Sequence, residues 1–317
     1  MNTTFQCHAL SPDAGVEITG VDLRQTIDDA GKAELRNLFD RHQLLLFRNQ
    51  GIDPEDQVRV LAIFGLVCAE HAGGAKHSYV SNVRPDGLLG TRALPFHCDF
   101  SFTRFQPQVL SLYGADIQGE PEPTMYVNCA RVSERLPEAL RLKLEGMTTM
   151  QVYDYTGNTE ENSCHGRVRL LELPEMPPYA THPKATFPVI RRHPRTGLPV
   201  LVVSQFHTSH IEGLGSDESE ALVQDLFRRL YSPENTYAHH WKQGDLVIWD
   251  NIAVQHGRAE FQGAAKAAHR TLCRVAVGEK SIKEIMEGVN YLPTSIFKFA
   301  ADETGRQHGA PARAGSP

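Results

Sequence analysis

The chain has 317 residues, 32 basic against 38 acidic for a formal net charge of −6, and 41% of it is apolar. That supports a real core and fits one large β-rich domain better than two small ones. With no long single-sign charge run, no membrane-length apolar stretch and no charged start before an apolar run, neither nucleic acid nor membrane is an expected partner, and a cytoplasmic protein is expected.

In chain order, Val16, Ile18 and Val21 predict a strand over 16–23. Residues 29–40 predict a helix with Leu35, Leu38 and Phe39 on one stripe. Leu44-Leu45-Leu46-Phe47 is short and evenly apolar, as in a buried strand. Asp53 before Pro54, Glu55 and Asp56 is a helix start, and that helix ends near Gly65. Residues 66–94 show little regular pattern; a long connection of this kind is commonly a lid or binding loop, and it is expected to wall a pocket. Strands are expected over 109–117 and 124–130, and a helix from Ser133 to about Leu144. Residues 154–183 are polar and rich in Pro, Asn and Gly, as in an inserted flap. A hairpin is expected from 187–192 and 199–203 around Pro194-Arg195-Thr196-Gly197. Ser216 is expected to cap a helix that buries Leu222, Val223, Leu226, Phe227 and Leu230 and ends at Pro233. The last strands fall at 236–241, 245–249 and 270–277.

Residues 300–317 read as a disordered tail. The expected organisation is one domain over 1–299, with an insertion near 154–183. Many short strands and few helices fit a sandwich or barrel. The six cysteines (7, 68, 98, 129, 164 and 273) form no CxxC pair and read as reduced thiols.

The chemistry centres on Pro95-Phe96-His97-Cys98-Asp99-Phe100-Ser101-Phe102. On an extended strand, residues i and i+2 share a face, so His97 and Asp99 would project together and Cys98 away from them. One imidazole and one carboxylate can grip a divalent metal from one side. The best third ligand is His256, which follows Gly244-Asp245-Leu246-Val247-Ile248-Trp249-Asp250-Asn251. Two His and one carboxylate on one face of a metal form the arrangement of non-heme Fe(II) oxygenases. His-x-Asp alone is weak evidence in a chain with 15 histidines.

Further features join it: Thr124 one hairpin downstream, the apolar run before His256, Arg270 with Arg274 four residues on, and Arg191-Arg192-His193-Pro194-Arg195 before an apolar strand. In this order they resemble the taurine dioxygenase and 2,4-dichlorophenoxyacetate dioxygenase family of Fe(II)/2-oxoglutarate-dependent oxygenases, from about residue 12 to about residue 278. The resemblance implies a mainly β double-stranded β-helix, a cupin-like jelly roll with flanking helices. It implies Fe(II) on His97, Asp99 and His256, with 2-oxoglutarate and O2 as cosubstrates. Arg270 and Thr124 would hold the far carboxylate of 2-oxoglutarate, since guanidinium binds carboxylate bidentately and keeps its charge.

Similar enzymes couple decarboxylation of 2-oxoglutarate, to succinate and CO2, with hydroxylation of an unactivated C–H bond. Desaturation, epoxidation or cyclisation are alternatives with the same cofactors. Since Asp99 is present, halogenation is disfavoured. Arg274 matches a residue that holds an anionic substrate group in taurine-dioxygenase-like members. Phe96, Phe100 and Phe102 point to an apolar part of the substrate. The expected partner is therefore a small molecule, anionic with an apolar portion, and the enzyme a homodimer or homotetramer. His207 and His210 lie in a stretch resembling the 2,4-D branch and are substrate-pocket candidates, as are His71 and His77 before the triplet. Asp250 and Asn251 are expected to orient His256.

The sequence departs from the family where Phe96 replaces a common Trp and where Arg92-Ala93-Leu94-Pro95 replaces a common Asn, so neither taurine nor 2,4-D follows as substrate. A cupin-like metal isomerase or hydrolase would need neither Arg270 nor Thr124, and a scaffold protein would need no ligand set.

Overall fold

A computed structural model describes residues 5–70, 74–153, 169–172 and 183–285. The expectations for a flap at 154–183 and a tail at 300–317, and the candidate His71, fall mostly or wholly outside these residues.

Most of the strand pairing is antiparallel. The largest sheet has eight strands, in the order β1 (Gln6–Ala9), β2 (Val16–Thr19), β3 (Leu44–Phe47), β15 (Leu246–Asp250), β7 (Val109–Gln118), β17 (His269–Val277), β4 (Ser78–Ser81) and β5 (Leu88–Leu89). Among the described residues, only β2–β3 and β4–β5 pair in parallel. A second sheet runs β14 (Thr236–His239), β8 (Thr124–Asn128), β16 (Val254–Arg258) and β6 (Leu94–His97). A third joins β10 (Lys184–Pro188), β9 (Thr148–Val152) and β13 (Thr208–Ile211), and β11 (Ile190–Arg192) pairs with β12 (Pro199–Leu201).

Side-chain alternation explains how the large sheet is covered on both faces. Leu45, Phe47, Leu246 and Ile248 point outward, against Leu35 and Phe39 of α1 (Asp29–His42) and Val60 and Leu61 of α2 (Pro54–Leu61). Leu44, Leu46, Val247 and Trp249 point inward and share a core with Tyr126 and Val254 of the four-stranded sheet. The even apolar run 44–47 is thus a strand buried on both faces, as in sheets with helices on one side and a sheet on the other. The stripe of α5 (Ser216–Leu230) closes the inner core from one end. No helix among the described residues is long and apolar enough to cross a membrane.

Four local expectations need correcting. Residues 66–94 contain β4 and β5, the first paired with β17. The strand expected to reach residue 130 stops at Asn128, whose side chain accepts from Ala130 N and Arg131 N and so caps α3 (Cys129–Glu134). The helix expected over 133–144 is two, α3 and α4 (Glu138–Leu144), because Pro137 restricts the residue before it and interrupts the backbone ladder. The cap of α5 is Gly215, and Ser216 is the first helical residue.

One junction bears on the site. Val152 and Lys184 are direct partners in the β9–β10 ladder, and Tyr153 N donates to Pro183 O at 3.0 Å. The chain therefore leaves the third sheet and re-enters it at the same point.

Candidate active site

Strand register makes the first contact. β16 pairs with β6 so that His256 lies directly opposite His97, and their rings sit 4.3 Å apart at 42°. His97 Nδ1 donates to the Pro95 carbonyl at 2.8 Å. A carbonyl only accepts, so this bond places the proton on Nδ1 and leaves the Nε2 lone pair available.

Asp99 lies beyond the end of β6, in a turn where Phe100 has φ 58°. The Asn251 side chain holds this turn, accepting from Asp99 N at 2.8 Å and donating to Asp99 O at 2.9 Å and Pro107 O at 2.8 Å. Asn251 thus serves as a surrogate strand partner for Asp99; its contacts orient the carboxylate and not His256. Asp99 Oδ1 stands 3.0 Å from His97 Nε2 and 3.6 Å from His256 Nε2. One ligand atom from each of the three residues lies within 4.8 Å of the others.

The charge states suit a divalent cation. Burial pushes the Asp99 carboxyl up, but the Arg274 guanidinium holds it well below the usual carboxylate range. Burial brings His256 down to about 3. A carboxylate and neutral imidazole are the forms that bind metal. His256 Nδ1 is buried with no partner among the described residues.

The other end of the cavity carries a cation. Arg270, on β17, donates from Nη2 to Thr124 Oγ1 at 2.7 Å. Trp241 Nε1 donates to the same oxygen at 2.9 Å. Both acceptor positions of the hydroxyl are then used, and its own proton remains to donate. Arg270 is 3% exposed, its Nε has no hydrogen-bond partner, and no carboxylate pairs with it among the described residues. Burial, and then Arg258, lower its pKa well below the ordinary arginine value.

Arg274 lines the same cavity four residues on, as strand periodicity expects, but it is already paired. It donates from Nη1 to Glu70 Oε2 and from Nη2 to Asp99 Oδ2, the latter at 2.7 Å. Ser78 Oγ donates to Glu70 Oε2 at 3.0 Å.

Phe100 and Phe102 line the cavity with Tyr153, Phe206 and Trp249. Val80, Leu88, Leu89 and Leu94 add an apolar wall from the segment expected to provide one. His207 is also there, 2% exposed, its ring 5.9 Å from that of His97. Burial and then His97 bring His207 down to about 3.

Three candidates do not reach the cavity. Phe96 precedes His97 on a strand, so it faces the opposite way and stacks on Tyr231 at 4.6 Å and 11°. His210 sits in β13, half-buried, with Nδ1 bonded to the Ser209 hydroxyl at 2.9 Å. His207 lies in the turn before β13, and the ladder is irregular between Thr208 and His210, so the two imidazoles do not share a face. His77 packs against Tyr79 and is not in the cavity wall.

Glu70, Ser78, Trp241 and Arg258 escape sequence reasoning. Only Arg258 left a signal, since it is two residues beyond His256 on the same strand. It donates to the carbonyls of Leu89, Gly90 and Arg92, fastening the 88–92 segment to β16.

The His193–Arg195 stretch acts at a distance. Buried Asp250 accepts from His193 Nε2 at 3.1 Å, from Ile252 N at 2.9 Å, from Ala253 N at 3.1 Å and from Arg195. These bonds fix the turn between β15 and β16, and hence the start of the strand that carries His256.

Comparison with known proteins agrees with this geometry. The family model described as "Taurine catabolism dioxygenase TauD, TfdA family" matches residues 6–276. An alkylsulfatase of Acinetobacter baylyi is 27% identical over 276 residues, 86% of this chain and 84% of that protein. An (S)-phenoxypropionate/alpha-ketoglutarate-dioxygenase of Sphingobium herbicidovorans is 28% identical over 275 residues, 81% of this chain and 90% of that protein. The crystal structure of a taurine dioxygenase from Burkholderia xenovorans superposes with a TM-score of 0.70 at 26% identity, covering 86% of this chain and 89% of the other.

Proposed function

This chain belongs to the taurine catabolism dioxygenase TauD, TfdA family, and from that premise we propose that it is an Fe(II)/2-oxoglutarate-dependent oxygenase that hydroxylates an unactivated C–H bond of a small organic molecule. His97, Asp99 and His256 would hold the iron. Two imidazoles and one carboxylate on one side of the ion leave the other side for cosubstrate, the donor set of this enzyme class. The metal, with 2-oxoglutarate and O2, supplies the oxidising chemistry. The two facing sheets would be the halves of a double-stranded β-helix, in one domain over 1–299. Five free cysteines among the described residues support a cytoplasmic setting.

The observation that carries this reading is Arg270. A buried guanidinium bonded only to a neutral hydroxyl by its side chain is costly unless it meets an anion in use. It lines the same cavity as the three ligand residues. The 5-carboxylate of 2-oxoglutarate suits it, with the Thr124 proton as a second contact. A metal hydrolase or isomerase that works without an oxo-acid leaves this cation unexplained.

The residues do the rest. Arg270 and Thr124 orient the oxo-acid, Arg274 and Asn251 fix the Asp99 carboxylate, and the aromatic walls exclude water and seat an apolar body. Relatives named for a phenoxypropionate and for alkyl sulfate chemistry support an acidic small molecule. The pairing of Arg274 with Glu70 argues against that cation as the seat of the acid.

Anaerobic protein given Fe(II) and 2-oxoglutarate should develop a weak visible charge-transfer band, and Asp99→Ala should abolish it. A wild-type protein that binds Fe(II) but shows no band with 2-oxoglutarate sinks the reading. Product mass then separates outcomes: a gain of about 16 mass units marks hydroxylation and a loss of about 2 marks desaturation.

A further inference from the structure

We propose that Glu70 selects a substrate presenting a hydrogen-bond donor, a hydroxyl or an amine, to the Arg274 end of the cavity, and rejects a carboxylate, sulfonate or sulfate there. The inference rests on the reading of the cavity as an oxygenase site.

Glu70 is 5% exposed and lines the cavity. Its Oε2 is fully engaged, accepting from Arg274 and from Ser78 Oγ at 3.0 Å. Its Oε1 is buried with no partner among the described residues. A buried acceptor without a donor costs free energy, and that cost is removed when a ligand supplies the donor. An acid at this end would meet the reverse situation. Arg274 is already paired with Glu70 and Asp99, so an anion at this end would lie beside the Glu70 carboxylate, and the one cation there among the described residues that line the cavity is committed. Selection against the acid therefore comes from repulsion as well as from the missing donor. The cavity wall also carries apolar side chains, among them Val80, Leu88 and Phe100, and a site built around a hydrogen bond rejects ligands that cannot make it.

The test uses three probes with one aromatic body: 2-phenoxyethanol, 2-phenoxyethylamine and phenoxyacetate. Binding to the anaerobic Fe(II)/2-oxoglutarate complex is measured by calorimetry, and substrate-stimulated succinate release is measured in air. Wild-type protein should bind at least one donor-ended probe tenfold or more tighter than phenoxyacetate. An advantage for the amine over the alcohol shows Glu70 acting as a charge partner; the opposite order shows it acting as an acceptor alone. Glu70→Gln should shift the ratio toward phenoxyacetate by tenfold or more, and Glu70→Asp should keep the wild-type preference. The Fe(II)/2-oxoglutarate band of each variant reports whether its centre is assembled.

Tighter binding of phenoxyacetate by the wild type, no measurable binding of either donor-ended probe, or an unchanged ratio in Glu70→Gln overturns the proposal. Should the wild-type band fail while quenching of tryptophan fluorescence still shows the donor preference, the oxygenase reading falls and the selection by Glu70 stands.

Discussion

Strand β17 presents two buried guanidinium groups to one cavity, four residues apart, in opposite electrostatic situations. Arg274 has two carboxylates, Glu70 and Asp99. Arg270 has a threonine hydroxyl and an unpartnered Nε. The same residue type on the same face thus stands in two situations: one cation completes the fold's own charge balance, and the other, on the proposed reading, is held ready for a ligand's charge. Burial of an uncompensated charge costs several kcal/mol, a cost that natural chains retain mainly where function needs it.

The contrast breaks most visibly at Arg274. Arg274→Met leaves two buried carboxylates without their cation and should destabilise the protein by about 3–5 kcal/mol, read as a fall in Tm. Arg270→Met removes an unpaired charge, so Tm should hold or rise, while 2-oxoglutarate affinity falls by about 3 kcal/mol, on the order of a hundredfold, in calorimetric titration. If the two variants behave alike, the two arginines are not distinct. Asn251→Ala should weaken metal binding about 10- to 100-fold, because Asp99 loses the bonds that aim it, with a smaller change in 2-oxoglutarate affinity.

The smallest effect lies in pH. His207 and His256 are each lowered to about 3 in the folded chain, against about 6.5 unfolded. Above pH 6.5 neither state gains protons. Below it only the unfolded chain does, so metal-free protein should lose about 1.4 kcal/mol of stability per pH unit for each of these histidines. Denaturation midpoints between pH 6.5 and 5 should fall less steeply in His207→Phe. An equal slope would show that His207 is protonated in the fold.

Much of this site was legible because its chemistry depends on residue type and short spacing. His97 and Asp99 were found by a two-residue period, although the strand ends at His97 and Asn251 supplies the geometry assumed of the strand. Arg270 and Arg274 were found by the same period on a strand long enough to honour it. Phe96 was misplaced where that period was not applied strictly, since adjacent residues face opposite ways on a strand; His210 was misplaced because a turn and a register shift separate it from His207. Glu70 gave no local signal, because its charge partner Arg274 on β17 is more than two hundred residues away, and Trp241 acts through the Thr124 hydroxyl and the Arg270 guanidinium, both distant in sequence. The break at Pro137 was written in the sequence, yet the helical pattern on both sides hid it.

The meeting of Val152 and Lys184 has an evolutionary consequence. Because the two ends of the intervening stretch already touch in the ladder, its closure entropy rises only logarithmically with length, about 0.6 kcal/mol per doubling. Length can therefore change between them at small cost to the ladder, provided that the bond from Leu170 N to Ser209 Oγ is kept or replaced. Tyr153, at the departure point, already belongs to the cavity wall. Descendants of this scaffold could thus acquire new substrates by grafting at one seam, leaving the oxidising machinery untouched.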